Sequence, residues 1–184
     1  MRIALYGGSF NPPHVGHLLV TSYVIATQEV DQVWLMPAYH HPFGKELAPF
    51  VDRVEMCSRL AAIFRSGVEV TTVESELQGE GRTIDTLEYL VARHPHLSFR
   101  LVIGSDILAD TPKWKAWDRV QKLAPPILVA RGGHPHPGVE GPEMPEVSST
   151  EVRRRLAAGA GAEQLVPRTV LEYVRARGLY GTAG

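Results

Sequence analysis

The chain has 184 residues, 44% of them hydrophobic, and a formal net charge of −1 with the histidines neutral. That length suits one domain, 1–184, with a full-sized core, and the apolar share excludes a disordered chain. The near-zero charge excludes a polyanion-binding surface spread over the whole molecule, so nucleic acid is not an expected partner and any phosphate contact must come from a local patch.

Residues 2–6, RIALY, form a compact apolar run stopped by Gly7 and Gly8 and too short for a signal peptide. Leu18, Leu19, Tyr23 and Ala26 then carry helical spacing, and a second β-rich run at 32–37 closes on Pro37. Val54, Cys57, Leu60, Ala61 and Phe64 mark the next helix. Cys57 is the only cysteine; it excludes an internal disulfide, fits a reducing compartment and reads as packing. A third strand is expected at 68–73, and Ile84, Leu87, Leu90 and Val91 predict a helix after it. Strands at 99–104 and 126–131 complete the series. No window approaches the roughly 20 apolar residues of a membrane helix, so the protein reads as soluble and cytoplasmic, with no membrane partner.

Strand, helix and strand in repetition predict right-handed crossovers and an α/β fold. The sheet is expected to be doubly wound and mostly parallel, Rossmann-like, with helices on both faces. The short continuous apolar strands suit a sheet buried on both sides. Residues 131–147, rich in Gly and Pro, predict a loop, the segment most free to move. A C-terminal helical segment follows. In it Ser148 and Glu151 fit a capping box, Gly159 a helix stop, Pro167 a first helical position and Gly178 a C-terminal cap.

In a doubly wound sheet, ligands bind beyond the carboxyl ends of the strands. The polar clusters follow the strands at that end: Gly7, Gly8, Ser9 and the histidines after the first, "PAYHHPFGK" after the second, Gly104 to Asp106 after the fourth and Arg131 after the fifth. The first cluster, "YGGSFNPPHVGHLLV" at 6–20, is neither a Walker loop nor GxGxxG. His14 and His17, three apart, share one face of a helix's first turn, where free N–H groups and the dipole favour anions. From the residues alone two readings stay open: the imidazoles bind phosphate oxygens, or they pack against the glycine turn. No carboxylate or thiol neighbour supports a metal site there, and the "HPH" stretches at 94–96 and 134–136 lack a third ligand. The second cluster is "SSTEVRRRL", with Ser148, Ser149 and Thr150 at a helix N-terminus. Arg153, Arg154 and Arg155 point about 100° apart, so one or two at most face a ligand and the rest form a solvated face.

Together "GGSFNPPHVGHL" and "VSSTEVRRRL" resemble the two signatures of the HxGH nucleotidyltransferases. With "RTIDTLEYL" (82–90), "LVIGSDILADTPKWKAW" (101–117) and "LVPRTVLEYVRARGLY" (165–180), the chain resembles the bacterial nicotinate-nucleotide adenylyltransferase family almost end to end. The resemblance implies adenylyl transfer from ATP, with Mg²⁺ on its phosphates, to nicotinate mononucleotide, with nicotinamide mononucleotide or another small phosphate, such as a phosphopantetheine-like one, as the rival acceptor. A catalytically silent nucleotide-binding module is the alternative from another class, and the retained histidines and Ser-Arg cluster speak against it. The sequence is compatible with a homo-oligomer.

The resemblance also implies roles. Gly7, Gly8, Ser9 and Phe10 offer backbone groups to the phosphates, and His14 and His17 bind ATP, with His17 the catalytic side chain. Ser148, Ser149, Thr150 and Arg153 hold the leaving pyrophosphate. Lys45, Gly104 and Arg131 serve the mononucleotide, Asp106 a ribose hydroxyl, Thr83 the nicotinate carboxylate and Trp114 the pyridine face. Three positions depart from the family pattern, all on substrate loops. Asn11 stands where Asp is usual, "HHPFGK" replaces a loop of two prolines, His and Lys, and Gly132-Gly133 follows Arg131 in place of Pro-Gly.

Overall fold

The structure is a computed structural model, and it describes residues 1–40, 47–77 and 81–182. Five strands form one sheet: β1 (Arg2–Gly8), β2 (Gln32–Pro37), β3 (Val68–Val70), β4 (Ser98–Gly104) and β5 (Pro126–Val129). Their order is β3-β2-β1-β4-β5, and every neighbouring pair is parallel. The helices are α1 (Val15–Thr27), α2 (Phe50–Ala61), α3 (Val73–Leu77), α4 (Thr83–Arg93), α5 (Ser105–Leu108), α6 (Trp117–Leu123), α7 (Ser149–Ala157) and α8 (Arg168–Ala176).

Successive strand residues point to opposite faces, and here each face has its own core. Ala4, Val33, Leu35 and Val102 meet Val24 of α1, Met56 and Leu60 of α2 and the apolar sides of α7 and α8. Ile3, Leu5, Leu101 and Ile103 meet Leu87 and Leu90 of α4 and Val120 of α6. Ile3, Ala4 and Leu5 are all 0% exposed, which is why β1 reads as an unbroken apolar run. The doubly wound α/β expectation therefore holds, and the C-terminal helices pack on the α2 side. Tyr173 Oη donates to Asp52 at 2.6 Å and Arg177 Nε at 3.1 Å, tying α8 to α2.

Two strands end earlier than their sequence patterns suggest. β3 stops at Val70 because Val73 already opens α3, and β5 stops at Val129, with Arg131 making only isolated bridges to His134 and Met144. The 131–147 loop is fastened at both ends: Gly132 N–H donates to Met144 O and Met144 N–H to Ala130 O, both at 2.8 Å, with Met144 and Val147 buried. The chain winds outward from β1 to β3, returns beside β1 as β4 and winds the other way to β5. The reversal leaves a crevice between the carboxyl ends of β1 and β4.

Candidate active site

The β1–β4 crevice opens into a cavity of about 600 Å³. Gly7, Gly8, Ser9, His14 and His17 line it from the β1–α1 turn, whose neighbours pack in the first core. Thr83 of α4 and Trp114 line it where their neighbours pack in the second. These are its histidine and tryptophan ends, and Gly104, Asp106 and Arg131 also line it.

The histidine end is built by backbone geometry. After Gly8 the chain turns through Phe10, whose φ of 46° lies in the left-handed region. Phe10 is not on the cavity wall as a side chain. It is 0% exposed and its ring packs under the site, 4.8 Å from His17 and 5.6 Å from Tyr6. A Cβ on Gly8 would press on that ring at 3.3 Å, so a side chain there needs the buried ring to give by a few tenths of an ångström.

His14 is the N-cap of α1 and His17 its third residue. The His14 backbone N–H donates to His17 Nδ1 at 3.1 Å. Nδ1 is thereby an acceptor, which puts the neutral ring's proton on Nε2 and leaves Nε2–H as a donor. The two rings lie 3.8 Å apart. Burial, the His14 ring and Arg131 hold His17 well below the ordinary imidazole range. Burial and then Arg131 push His14 down to about 4. Both rings are thus neutral near pH 7. His14 is 5% exposed; its Nδ1 is buried without a hydrogen bond of ordinary geometry and is set as a capping-box acceptor toward the His17 backbone N–H. Gly16 makes this possible: a Cβ there would stand 3.0 Å from Cε1 and Nδ1 of His14. Gly16 was missing from the sequence-derived site, although its place inside "HVGH" was the available signal.

On the wall, Arg131 Nη1 donates to Asp106 Oδ2 at 2.8 Å and Nη2 to Val147 O at 3.0 Å, so the two predicted residues form a pair. Gly104 leaves the space that the Asp106 carboxylate occupies. Ser105 joins the exits of β4 and β5: its Oγ accepts from Arg131 N–H at 2.9 Å and donates to His134 O at 2.7 Å. At the far end, Thr83 is the first residue of α4, with Arg82 as N-cap. Trp114 is half-buried and edge-on to Trp117, 5.7 Å away; Trp117 does not line the cavity.

The Ser-Arg cluster stands beside the cavity rather than on its wall, because its polar atoms are spent on the turn before α1. Ser149 Oγ donates to Pro12 O at 2.9 Å and Arg153 Nη1 to Asn11 O at 2.8 Å. Ser148 caps α7, its Oγ accepting from Glu151 N–H at 3.2 Å, and Thr150 is exposed in the first turn. The Glu151 carboxylate does not return to the cap as a capping box requires; Arg154 and Arg155 take it at 2.7–2.8 Å. Arg153 alone of the three arginines therefore turns toward the site.

Asn11 is 2% exposed, and its Oδ1 accepts from Ala48 N–H at 3.0 Å and Tyr180 Oη at 2.9 Å. A side chain gripped this way acts in the frame of the turn. Lys45 lies outside the described residues.

Comparison with known proteins agrees with this architecture. The cytidylyltransferase-like family model matches residues 5–155. The chain is 58% identical over 182 residues to a protein of Anaeromyxobacter dehalogenans (strain 2CP-C) named probable nicotinate-nucleotide adenylyltransferase, with 97% of this chain and 96% of that one covered. It is 35% identical to the nicotinate-nucleotide adenylyltransferase of Bacillus subtilis (strain 168), covering 97% and 98%. In fold it is similar to the Plasmodium falciparum nicotinic acid mononucleotide adenylyltransferase complexed with NaAD, with a TM-score of 0.81 at 21% identity and 97% of each chain covered.

Proposed function

The chain belongs to the nicotinate-nucleotide adenylyltransferases of the cytidylyltransferase-like family, and from that membership we propose that it transfers the adenylyl group of ATP to nicotinate mononucleotide, giving nicotinate adenine dinucleotide and pyrophosphate. We read residues 1–184 as one catalytic domain working in the cytoplasm. The observation that carries the reading is a single cavity with the His14–His17 pair at one end and Thr83 and Trp114 at the other.

In this reaction the mononucleotide's 5′-phosphate oxygen forms a bond to the α-phosphorus of ATP, and the bond from that phosphorus to the α–β bridging oxygen breaks. Catalysis of such a transfer rests on positioning and charge stabilisation. His17 Nε2–H donates to the α-phosphate oxygens as their charge grows, and the His14 ring meets an adjacent phosphate. Arg131, steadied by Asp106, faces the mononucleotide phosphate, while Asp106 keeps its second oxygen for a ribose hydroxyl. Trp114 stacks on the pyridine, and Thr83 meets its carboxylate at the open start of α4. Ser149, Thr150 and Arg153 receive the pyrophosphate. Among the described residues no three His, Cys, Asp or Glu side chains gather as a metal site. We read Mg²⁺ as part of the substrate, carried on the phosphate oxygens of ATP.

The test is pyrophosphate release from Mg-ATP with nicotinate mononucleotide and, separately, with nicotinamide mononucleotide. Rapid release with the acid and slow release with the amide are expected. No release with either overturns the proposed activity, and equal rates overturn the preference for the acid.

A further inference from the structure

Among the described residues, the largest fully buried side chain is a charged one, Arg53 of α2, at 1% exposure. A buried cation is costly unless its donors are satisfied and its charge is balanced. The donors are satisfied by carbonyls alone. Arg53 Nη1 donates to Ser9 O at 3.0 Å and to Ala38 O at 2.7 Å, Nε to Ala48 O at 3.0 Å and Nη2 to Tyr39 O at 3.4 Å. The Phe50 ring lies 5.4 Å from its Cζ. Among the described residues no carboxylate comes within ion-pair distance: its neighbour Asp52 faces α8, held by Tyr173 and Arg177. Among the described residues, that positive charge has dipoles for partners and no counter-ion beside it.

Its position gives that charge a use. β1 and β2 are neighbours that end together, with Gly8 opposite Pro37. The loops leaving them pass through Ser9 and Ala38, and both residues line the cavity. One guanidinium nitrogen holds both carbonyls. With their oxygens turned down onto Arg53, these loops are fixed to each other directly under the end of the cavity that carries the histidines.

We propose that Arg53 is a positioning residue for the triphosphate of ATP: it clamps the Ser9 and Ala38 carbonyls and supplies, from beneath the loop, a buried positive charge that balances the polyphosphate. It touches no substrate and acts through the loop. The inference rests on the reading above that the triphosphate lies over the Gly8–Ser9 turn. In a low-dielectric surround the cation's field is weakly screened, so its effect falls on ATP affinity in ground and transition states alike, and on KM more than kcat.

The test compares wild type with R53Q and R53K, measuring the Kd for Mg-ATP by calorimetry, KM and kcat by pyrophosphate release, and Tm. R53Q is expected to weaken Mg-ATP by about tenfold or more, to change kcat at saturation by less than about threefold and to leave the KM for the mononucleotide within about threefold. R53K, which keeps the charge, is expected to restore the Kd at pH 7 to within about threefold of wild type. A lysine buried here loses its proton more easily than a free one, so Mg-ATP binding to R53K should weaken by about fivefold or more toward pH 10 relative to wild type. A merely structural arginine would lower Tm and leave affinities unmoved. A folded R53Q with wild-type Kd overturns the proposal; if R53Q does not fold, an R53K pH profile parallel to wild type overturns it. A wild-type protein that does not bind Mg-ATP would instead overturn the assigned function.

Discussion

At one end of the cavity two imidazoles lie 3.8 Å apart, one nitrogen of His17 engaged by a backbone N–H and one nitrogen of His14 buried without a hydrogen bond of ordinary geometry. At the other end Trp114 is half-buried against Trp117, among charges that reach solvent: Lys115 meets Asp85 at 3.6 Å and Lys113 meets Asp110 at 2.7 Å. The elements differ as well. His17 belongs to a helix of thirteen residues, whereas Trp114 follows a 3₁₀ turn of three. The histidine end has given up solvation and hydrogen bonds to fix its rings before substrate arrives. The tryptophan end offers a flat apolar face on a short connection. Preorganisation is worth most where charge develops in the transition state, and a stacking surface has only to be present. On the proposed function, the chemistry belongs to the first end and selection of the acceptor to the second.

The largest effect that can break this division is on His17. His17→Ala removes the Nε2–H donor and leaves the His14 N–H without its acceptor. The expected result is a kcat lower by roughly 10²-fold or more, with the KM for the mononucleotide little changed and the protein folded by circular dichroism. A near-wild-type kcat would show that the histidine end does not carry the chemistry. Next in size is Trp114→Ala, which should raise the KM for the mononucleotide about tenfold, the scale of one lost stacking contact with its buried area. Its kcat at saturation should stay within about threefold. An effect confined to the KM for ATP would remove the tryptophan from the acceptor end.

Much of the arrangement of the fold and of the cavity lining is legible in the sequence, and what is not has physical causes. The strand-helix alternation gave the sheet, because continuous apolar strands such as 3–5 occur where both faces are covered. The gathering of clusters at one sheet edge followed from the rule for open α/β sheets. The direction of side chains was harder to read. Phe10 faces the core, and Ser149 and Arg153 grip the carbonyls of Pro12 and Asn11, contacts spanning 137 and 142 residues that no local pattern encodes. Asn11 looked like a substitution at a ligand loop and proves to be an acceptor joining Ala48 and Tyr180 to the turn. Arg53 is unreadable for the same reason. Nothing in "FVDRVEM" distinguishes the buried arginine from a surface one, because its partners are backbone carbonyls of three separate loop stretches.

The smallest effect tests the neutrality of the histidine end through stability. An unfolded chain protonates His14 near 6.5, while the fold holds it near 4, chiefly by burial and then by Arg131. Between those values the unfolded state binds the extra proton, so the contribution is fully present above about pH 6.5 and is lost as pH falls toward 4. His17, also pushed down by burial, adds in the same direction. Urea unfolding between pH 6.5 and 5.5 should therefore show wild type losing stability more steeply than His14→Gln, by about 1 kcal/mol over that unit. The Gln variant keeps every other titrating group, and His17 is held down first by burial rather than by His14, so the difference in slope reports chiefly on this one imidazole. Trp114→Ala should retain the wild-type slope, since nothing at its end of the cavity holds a buried imidazole. Coincident slopes for wild type and His14→Gln would mean that His14 already carries its proton in the folded state, and a preorganised neutral pair would no longer separate the two ends.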